Sequence, residues 1–190
     1  MADSRQLLLG LDVGTTATKA LLFDLQGSVV ASAVRPYPLL TPRPGWVEQD
    51  PEDLWRAVVY VTHGVLAQIK PTDTIIALSQ ASQGGTTIPV DAAGCPMYHA
   101  ISWMDTRGID EAARIRDLLG AETVRTTTGC PLATTLPLQH IAWLRANRPT
   151  VFAGVHRFLF VNDFITARLT HEHVMNPSDA TMTQLFNISS

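Results

Sequence analysis

The run "DVGTT" at positions 12–16 gathers three kinds of group that phosphate chemistry needs into one short turn. Asp12 is a hard oxygen ligand for Mg²⁺ or for its coordinated waters. Gly14 has no side chain to hold backbone away from a phosphate, and Thr15 and Thr16 bring hydroxyl and N–H donors. Lys19, four residues beyond Thr15, adds a point charge. A plain hairpin turn, in which Asp12 and the threonines hydrogen-bond their own backbone, accounts for the same residues. Rival phosphate loops do not compete, because the chain contains neither G-x-x-x-x-G-K-[S/T] nor G-x-G-x-x-G.

The turn needs strands on both sides, and the first third of the chain supplies them. Segments 7–11, 17–24 and 28–37 are rich in Leu, Val and Ala and are separated by "DVGTT" and "LQG", the pattern of an antiparallel three-stranded meander. In "PLLTPRPGWVEQDPEDLW" four prolines and a glycine exclude regular structure until Asp50, where Pro51, Glu52 and Asp53 read as a helix start, with the helix running to about Gln68. "DTIIALSQAS" reads as a buried strand, and residues 84–103 as a hairpin turning at "DAAG". Helices are expected over 110–119, ending at Gly120, and over "LPLQHIAWLRANRP", ended by Pro149. "VHRFLFVNDFITARLT" gives a short strand and then a helix, so the class is α/β with a mixed sheet. No repeat, low-complexity tract or domain linker stands out.

Composition narrows the function classes. The 190 residues are 46% hydrophobic and 16% charged, enough for one well-packed domain or slightly more. A formal net charge of -3 without runs of like charge lacks the footprint of a nucleic-acid binder, so the expected partners are small molecules and not nucleic acid. Cys95 and Cys130 belong to no C-x-x-C pair, which argues against a zinc site or a disulfide framework and fits a reducing compartment. Neither a signal segment nor an apolar stretch of transmembrane length is present, and the expectation is a cytoplasmic protein without membrane association.

"GLDVGTTATKALLFD" resembles the first phosphate-binding hairpin of the FGGY carbohydrate kinases, which include xylulose, gluconate and glycerol kinases. "GWVEQDPEDLW", "ISWMDTRG", "TTGCPLATTLPLQHIAWL", "FLFVNDFITARLT" and "NPSDATMTQLFNISS" resemble family segments in the same order. The resemblance implies a ribonuclease-H-like fold, a mixed sheet with flanking helices shared with actin and heat-shock chaperones, in which two such domains close over ATP and sugar. It implies that residues 1–190 are an incomplete N-terminal domain, with the general base beyond Ser190 and the C-terminal domain absent, so that the chain alone is inactive. Residue by residue, Asp12 serves the metal, Gly14, Thr15 and Thr16 cradle the transferring phosphate, and Lys19 reaches the phosphates. The implied cofactors are ATP and Mg²⁺, and the implied partners are a small-molecule sugar and, as an option, a second copy in a homodimer. The rival class is a non-catalytic actin-like nucleotide-binding module, which shares the hairpin but has no reason to carry W-x-D-x-R.

On the sugar side Gln83 matches the family, while Gly84 and Gly85 stand where xylulose kinases carry Met-His and glycerol kinases Arg-Glu. Thr135 stands where glycerol kinases have a substrate-binding tyrosine. These departures disfavour glycerol and favour xylulose or a similar ketose or sugar acid, accommodated where two side chains are missing from the pocket floor; a tight turn without a ligand is the alternative. Trp103 and Asp105 match W-x-D-x-R, with the indole against the sugar's carbon face and the carboxylate accepting from hydroxyls. A core tryptophan beside an Asp105–Arg107 ion pair is the plainer reading, and it is the one we adopt for Arg107. His171, Glu172 and His173 lack zinc spacing, Trp46, Trp55 and Trp143 read as packing, and Asn162, Asp163 and Asp179 read as caps and braces.

Overall fold

Alternation of buried and exposed residues builds the first strands. The computed structural model describes residues 4–189. Strand β1 (Gln6–Val13) buries Leu7, Leu9, Leu11 and Val13, and β2 (Ala17–Phe23) buries Thr18, Ala20 and Leu22. With β3 (Val29–Pro36) they form the expected antiparallel meander. After the two-residue β4 (Glu48–Gln49) comes α1 (Pro51–Leu66), acidic in its first turn as its start signals require. It buries Leu54, Ala57, Val58, Val61 and Val65, spacings that put them on one helical face.

Strand β5 (Thr74–Ser82) runs parallel to β1, giving a mixed sheet in the order β3-β2-β1-β5. The expectation of a buried strand is corrected here, since Ile76 is 49% and Leu78 44% exposed. Among the described residues β5 pairs on one side only, and an apolar run is buried on both faces only where layers cover both.

The chain divides into two compact units, one reaching to Pro38 and resuming over Glu52–Gln83, the other made of Leu39–Pro51 and everything from Gly84 onward. In the second unit, β6 (Ile88–Val90) and β7 (Ala100–Ile101) flank the "DAAG" turn, where Asp91 Oδ1 accepts from Ala93 N and Cys95 N. The hairpin is a loose one, held by bridges Thr87–Ile101 and Val90–Pro96. Ladder partners are β4 for β7 and, for β6, the later strand β8 (Arg157–Leu159). Helices α2 (Ile109–Leu119), α4 (Pro137–Asn147) and α6 (Val161–Thr170) lie where expected. Three short helices were not anticipated: α3 (Ala121–Thr128), α5 (Pro149–Gly154) and α7 (Pro177–Met182). Pro149 ends α4 and also opens α5, because a proline suits the first helical position as well as it blocks an interior one. Ile101, Trp143 and Leu144 form a core cluster lined by Trp46, Tyr98, Phe152 and Phe158, which is where Trp46 and Trp143 were expected to pack. Among the described residues no helix is long and apolar enough to cross a membrane.

Candidate functional site

The turn between β1 and β2 lies in the first unit. Its backbone is that of a hairpin, with Gly14 N donating to Ala17 O at 3.0 Å. Gly14 is therefore not a free N–H donor, and a Cβ there would lie 3.3 Å from the Ala17 carbonyl oxygen, which is why the position is tight. Asp12 does not cap its own backbone. Asp12 and Lys19 are direct cross-strand partners, both exposed, and neither side chain has a hydrogen bond or ion pair among the described residues. Thr16, also exposed, has an amide and a hydroxyl without a described partner. A carboxylate, a hydroxyl, an amide and an ammonium thus stand uncommitted around one turn. Gln83, at the end of β5, is tied to β1 through its N–H to Val13 O at 3.0 Å.

Tyr37 fixes the turn from behind, and nothing in the local sequence pointed to it. Its N–H donates to Thr16 O at 3.1 Å and its hydroxyl to Gly14 O at 2.6 Å, so one residue satisfies two turn carbonyls. Burial first, with the Asp12 charge adding to it against a hydrogen bond from Thr18, pushes the phenol up to about 12, so Tyr37 stays a neutral donor.

In the second unit Gly85 has φ +74° and its Cβ position lies 3.2 Å from Trp103 Cβ, so a glycine is required there by backbone and by packing. Trp103 is 45% exposed, its amide held 3.3 Å from Thr86 Oγ1. The floor beside it is not vacant, contrary to the sequence expectation. A Cβ on Gly84 would meet Met182 Cε at 2.9 Å and Sδ at 3.5 Å, so a side chain distant in sequence fills the space.

Asp105, expected among the substrate contacts, is fully buried and its oxygens are occupied. Oδ2 accepts from Val47 N at 2.6 Å and Arg107 Nη2 at 2.7 Å, and Oδ1 from Arg107 N and Nε, both at 2.8 Å. Such a carboxylate braces the loop that carries Trp103 and has no lone pair turned to solvent. Arg107 Nη2 also lies 2.8 Å from Glu48 Oε1, while Glu48 Oε2 lies 2.9 Å from His99 Nδ1. The guanidinium stacks 3.9 Å from the Trp46 ring centre and 4.9 Å from that of Trp143. Burial alone would lower the Arg107 pKa, but Asp105 and Glu48 outweigh it and the net shift is upward.

Two further groups are perturbed without belonging to the turn or the floor. His140 is fully buried, Nδ1 3.0 Å from Thr87 Oγ1, and burial drops it to about 4. Asp163 Oδ2 accepts from Phe160 N at 2.9 Å at the start of α6, the capping role expected of it, and burial raises it to about 6. Asp179, expected as a brace, accepts at Oδ2 from Asn176 Nδ2 at 2.6 Å. His171, Glu172 and His173 are exposed.

Residues 7–190 match the N-terminal domain of the FGGY family of carbohydrate kinases. The chain belongs to that family. It is 33% identical to a gluconokinase of Bacillus subtilis over 95% of this chain and 35% of the relative. It is 35% identical to a glycerol kinase of Delftia acidovorans over 95% of this chain and 38% of the relative. A xylulose kinase structure from Rhodospirillum rubrum superposes with a TM-score of 0.93 at 28% identity, covering 96% of this chain and 38% of that one. The mixed sheet with its flanking helices is thus the ribonuclease-H-like fold that these sugar kinases share. The FGGY chain spans less than two fifths of the length of these relatives. Glycerol kinases stand beside gluconate and xylulose kinases here, so overall likeness does not favour excluding glycerol.

Proposed function

We propose that this FGGY chain is the phosphate-gripping and acceptor-binding portion of an ATP-dependent carbohydrate kinase, which moves the ATP γ-phosphoryl group in line onto a sugar hydroxyl. The observation that carries the reading is the uncommitted set on the first hairpin, Asp12, Thr16 and Lys19, in a chain of this family. In the reaction the bond from the γ-phosphorus to the ADP oxygen breaks, a bond to the acceptor oxygen forms, and the hydroxyl proton passes to a base. Thr16, with Thr15, and Lys19 hold the phosphoryl oxygens, and Trp103 covers the acceptor's carbon face. Asp105 keeps the Trp103 loop in place through Val47 and Arg107.

Asp12 fits Mg²⁺. Its carboxylate is exposed and unpaired, and Mg²⁺ is commonly held by one or two carboxylates while keeping waters and phosphate oxygens. Bound there, the ion neutralises charge on the phosphates.

The acceptor is read as a ketose or sugar acid and not glycerol, supported by the absence, at Gly84 and Gly85, of the charged pair of glycerol kinases. From the resemblance, the base belongs beyond Ser190, and residues 1–190 alone bind ligands without transferring phosphate. The test is an ATP-to-ADP assay, with glycerol, D-xylulose and D-gluconate as acceptors, on the 190-residue chain and on the longer protein that carries it. Acceptor-dependent turnover by the longer protein is the expected result. No turnover with any acceptor overturns the kinase reading and favours a nucleotide-binding module. Turnover by residues 1–190 overturns the placement of the base.

A further inference from the structure

Gly84 and Gly85 are both glycines on the acceptor floor, but for different reasons. Gly85 sits at φ +74° against Trp103 Cβ, so nothing else fits there whatever binds. Gly84 has no positive φ, and the atom that a Cβ would strike is the terminal methyl of a flexible side chain, Met182 Cε at 2.9 Å. The same methyl lies 3.7 Å from the Cβ position of Gly85. Met182 ends α7 and is partly exposed, so its thioether covers both glycines while its surface remains open.

Methionine is suited to this. It is unbranched, has three side-chain torsions, and fills irregular gaps without a hydrogen-bonding demand. Position 84 and position 182 therefore share one volume, which either side chain can occupy. This chain fills it from α7.

We propose that Met182 is a specificity-determining residue of the acceptor site, its thioether setting how long a polyhydroxylated chain can lie along the Gly84–Gly85 floor beside Trp103. The inference rests on the kinase reading for what lies there, and on the Gly84–Met182 contact for which residue sets its length. Cutting Met182 back to alanine removes the sulfur and two carbons and lengthens the floor by about the space of one to two sugar carbons. A pocket change of that size discriminates between ligands by about 10–200-fold.

The test has two arms on the 190-residue chain. In the first, Gly84→Ala lowers the melting temperature by about 2–4 °C. The double variant Gly84→Ala/Met182→Ala melts no lower than Met182→Ala alone. Additive losses would show that the two positions do not share a volume and would overturn the proposal. In the second, calorimetric or saturation-transfer titration with glycerol, D-xylulose and D-gluconate compares wild type with Met182→Ala. The expected result is a shift of at least about tenfold in relative affinity toward the longer acceptors. An unchanged ratio, with the melting pattern as expected, would overturn Met182 as the determinant and leave the kinase reading standing. Absence of binding by every acceptor to both proteins would remove the acceptor site and the proposal together.

Discussion

Replacing Arg107 by methionine tests the brace under Trp103 most directly. The Arg107 side chain is fully buried, as is that of Asp105, and Glu48 is 6% exposed, so the change strands two carboxylates away from water. Breaking a buried pair by removing one partner costs about 3–5 kcal/mol, because the remaining charge has lost its counter-ion. Loss of the guanidinium from the Trp46 and Trp143 faces adds about 0.5–2 kcal/mol. Glu48 keeps its 2.9 Å contact to His99 Nδ1 and Asp105 its backbone donors, so we take about 4 kcal/mol for the whole. At about 2–4 °C per kcal/mol for a chain of this length, the melting temperature falls by about 10 °C. Urea unfolding followed by tryptophan emission reads it, since Trp46 and Trp143 flank the lost group. A companion variant, Arg107→Met/Asp105→Asn/Glu48→Gln, recovers much of the loss because it buries no unpaired charge. If Arg107→Met unfolds within about 1 kcal/mol of wild type, the network is not what holds this loop, and the positioning role given to Asp105 fails with it.

Asp12→Ala should change stability by no more than about 1 kcal/mol, because the residue is exposed and unpaired, while Mg²⁺-dependent nucleotide binding falls by orders of magnitude; calorimetry with Mg-ATP and a thermal melt separate the two. Tyr37→Phe removes the donor to Gly14 O and leaves a part-buried carbonyl unpaired, about 1–3 kcal/mol, and should weaken Mg-ATP binding while leaving acceptor binding unchanged. His140 is depressed in the fold to about 4 from 6.5, so its contribution is present above pH 6.5 and is lost as pH falls toward 4. That loss is worth up to about 3 kcal/mol, and melts of His140→Gln between pH 7 and pH 4 should lack it. Asp163 runs the other way, since a folded pKa raised to about 6 gives stability that is full below about pH 4 and is lost as pH rises through 6. Asp163→Asn should therefore steepen the acid loss seen in the wild type.

What was legible in the sequence was what local pattern determines. The meander follows from alternating apolar residues around "DVGTT" and "LQG", and α1 from Pro51 and its acidic first turn. The burial of β5 was misread because "TIIALSQAS" states that the strand is apolar, not how many layers cover it. Helices α3, α5 and α7 escaped because six to eight residues give too little helical period to see, and α3 is rich in threonine. The division into two units was invisible because one crossing falls at Gly84, in the middle of a motif and not in a linker.

The site divides along the same line, and the reason is the distance over which a residue's role is decided. Asp12 and Lys19 face each other because a hairpin closed at Gly14 and Ala17 pairs positions whose numbers sum to a constant, so their juxtaposition is contained in the turn itself. Tyr37 reaches the same turn from the end of the third strand, and only the pairing of β2 with β3 brings it there. Asp105 reads in sequence as a carboxylate beside a sugar-facing tryptophan, yet Val47 and Glu48, some sixty residues earlier, make its loop a closed ion network. The two glycines show the consequence most clearly. A missing side chain can be read from sequence as missing, whereas its replacement by Met182 is a tertiary contact. An acceptor-length argument from residues 84 and 85 alone therefore counts as empty a volume that another part of the chain has filled. The Gly84→Ala/Met182→Ala cycle measures that volume without presuming what binds in it.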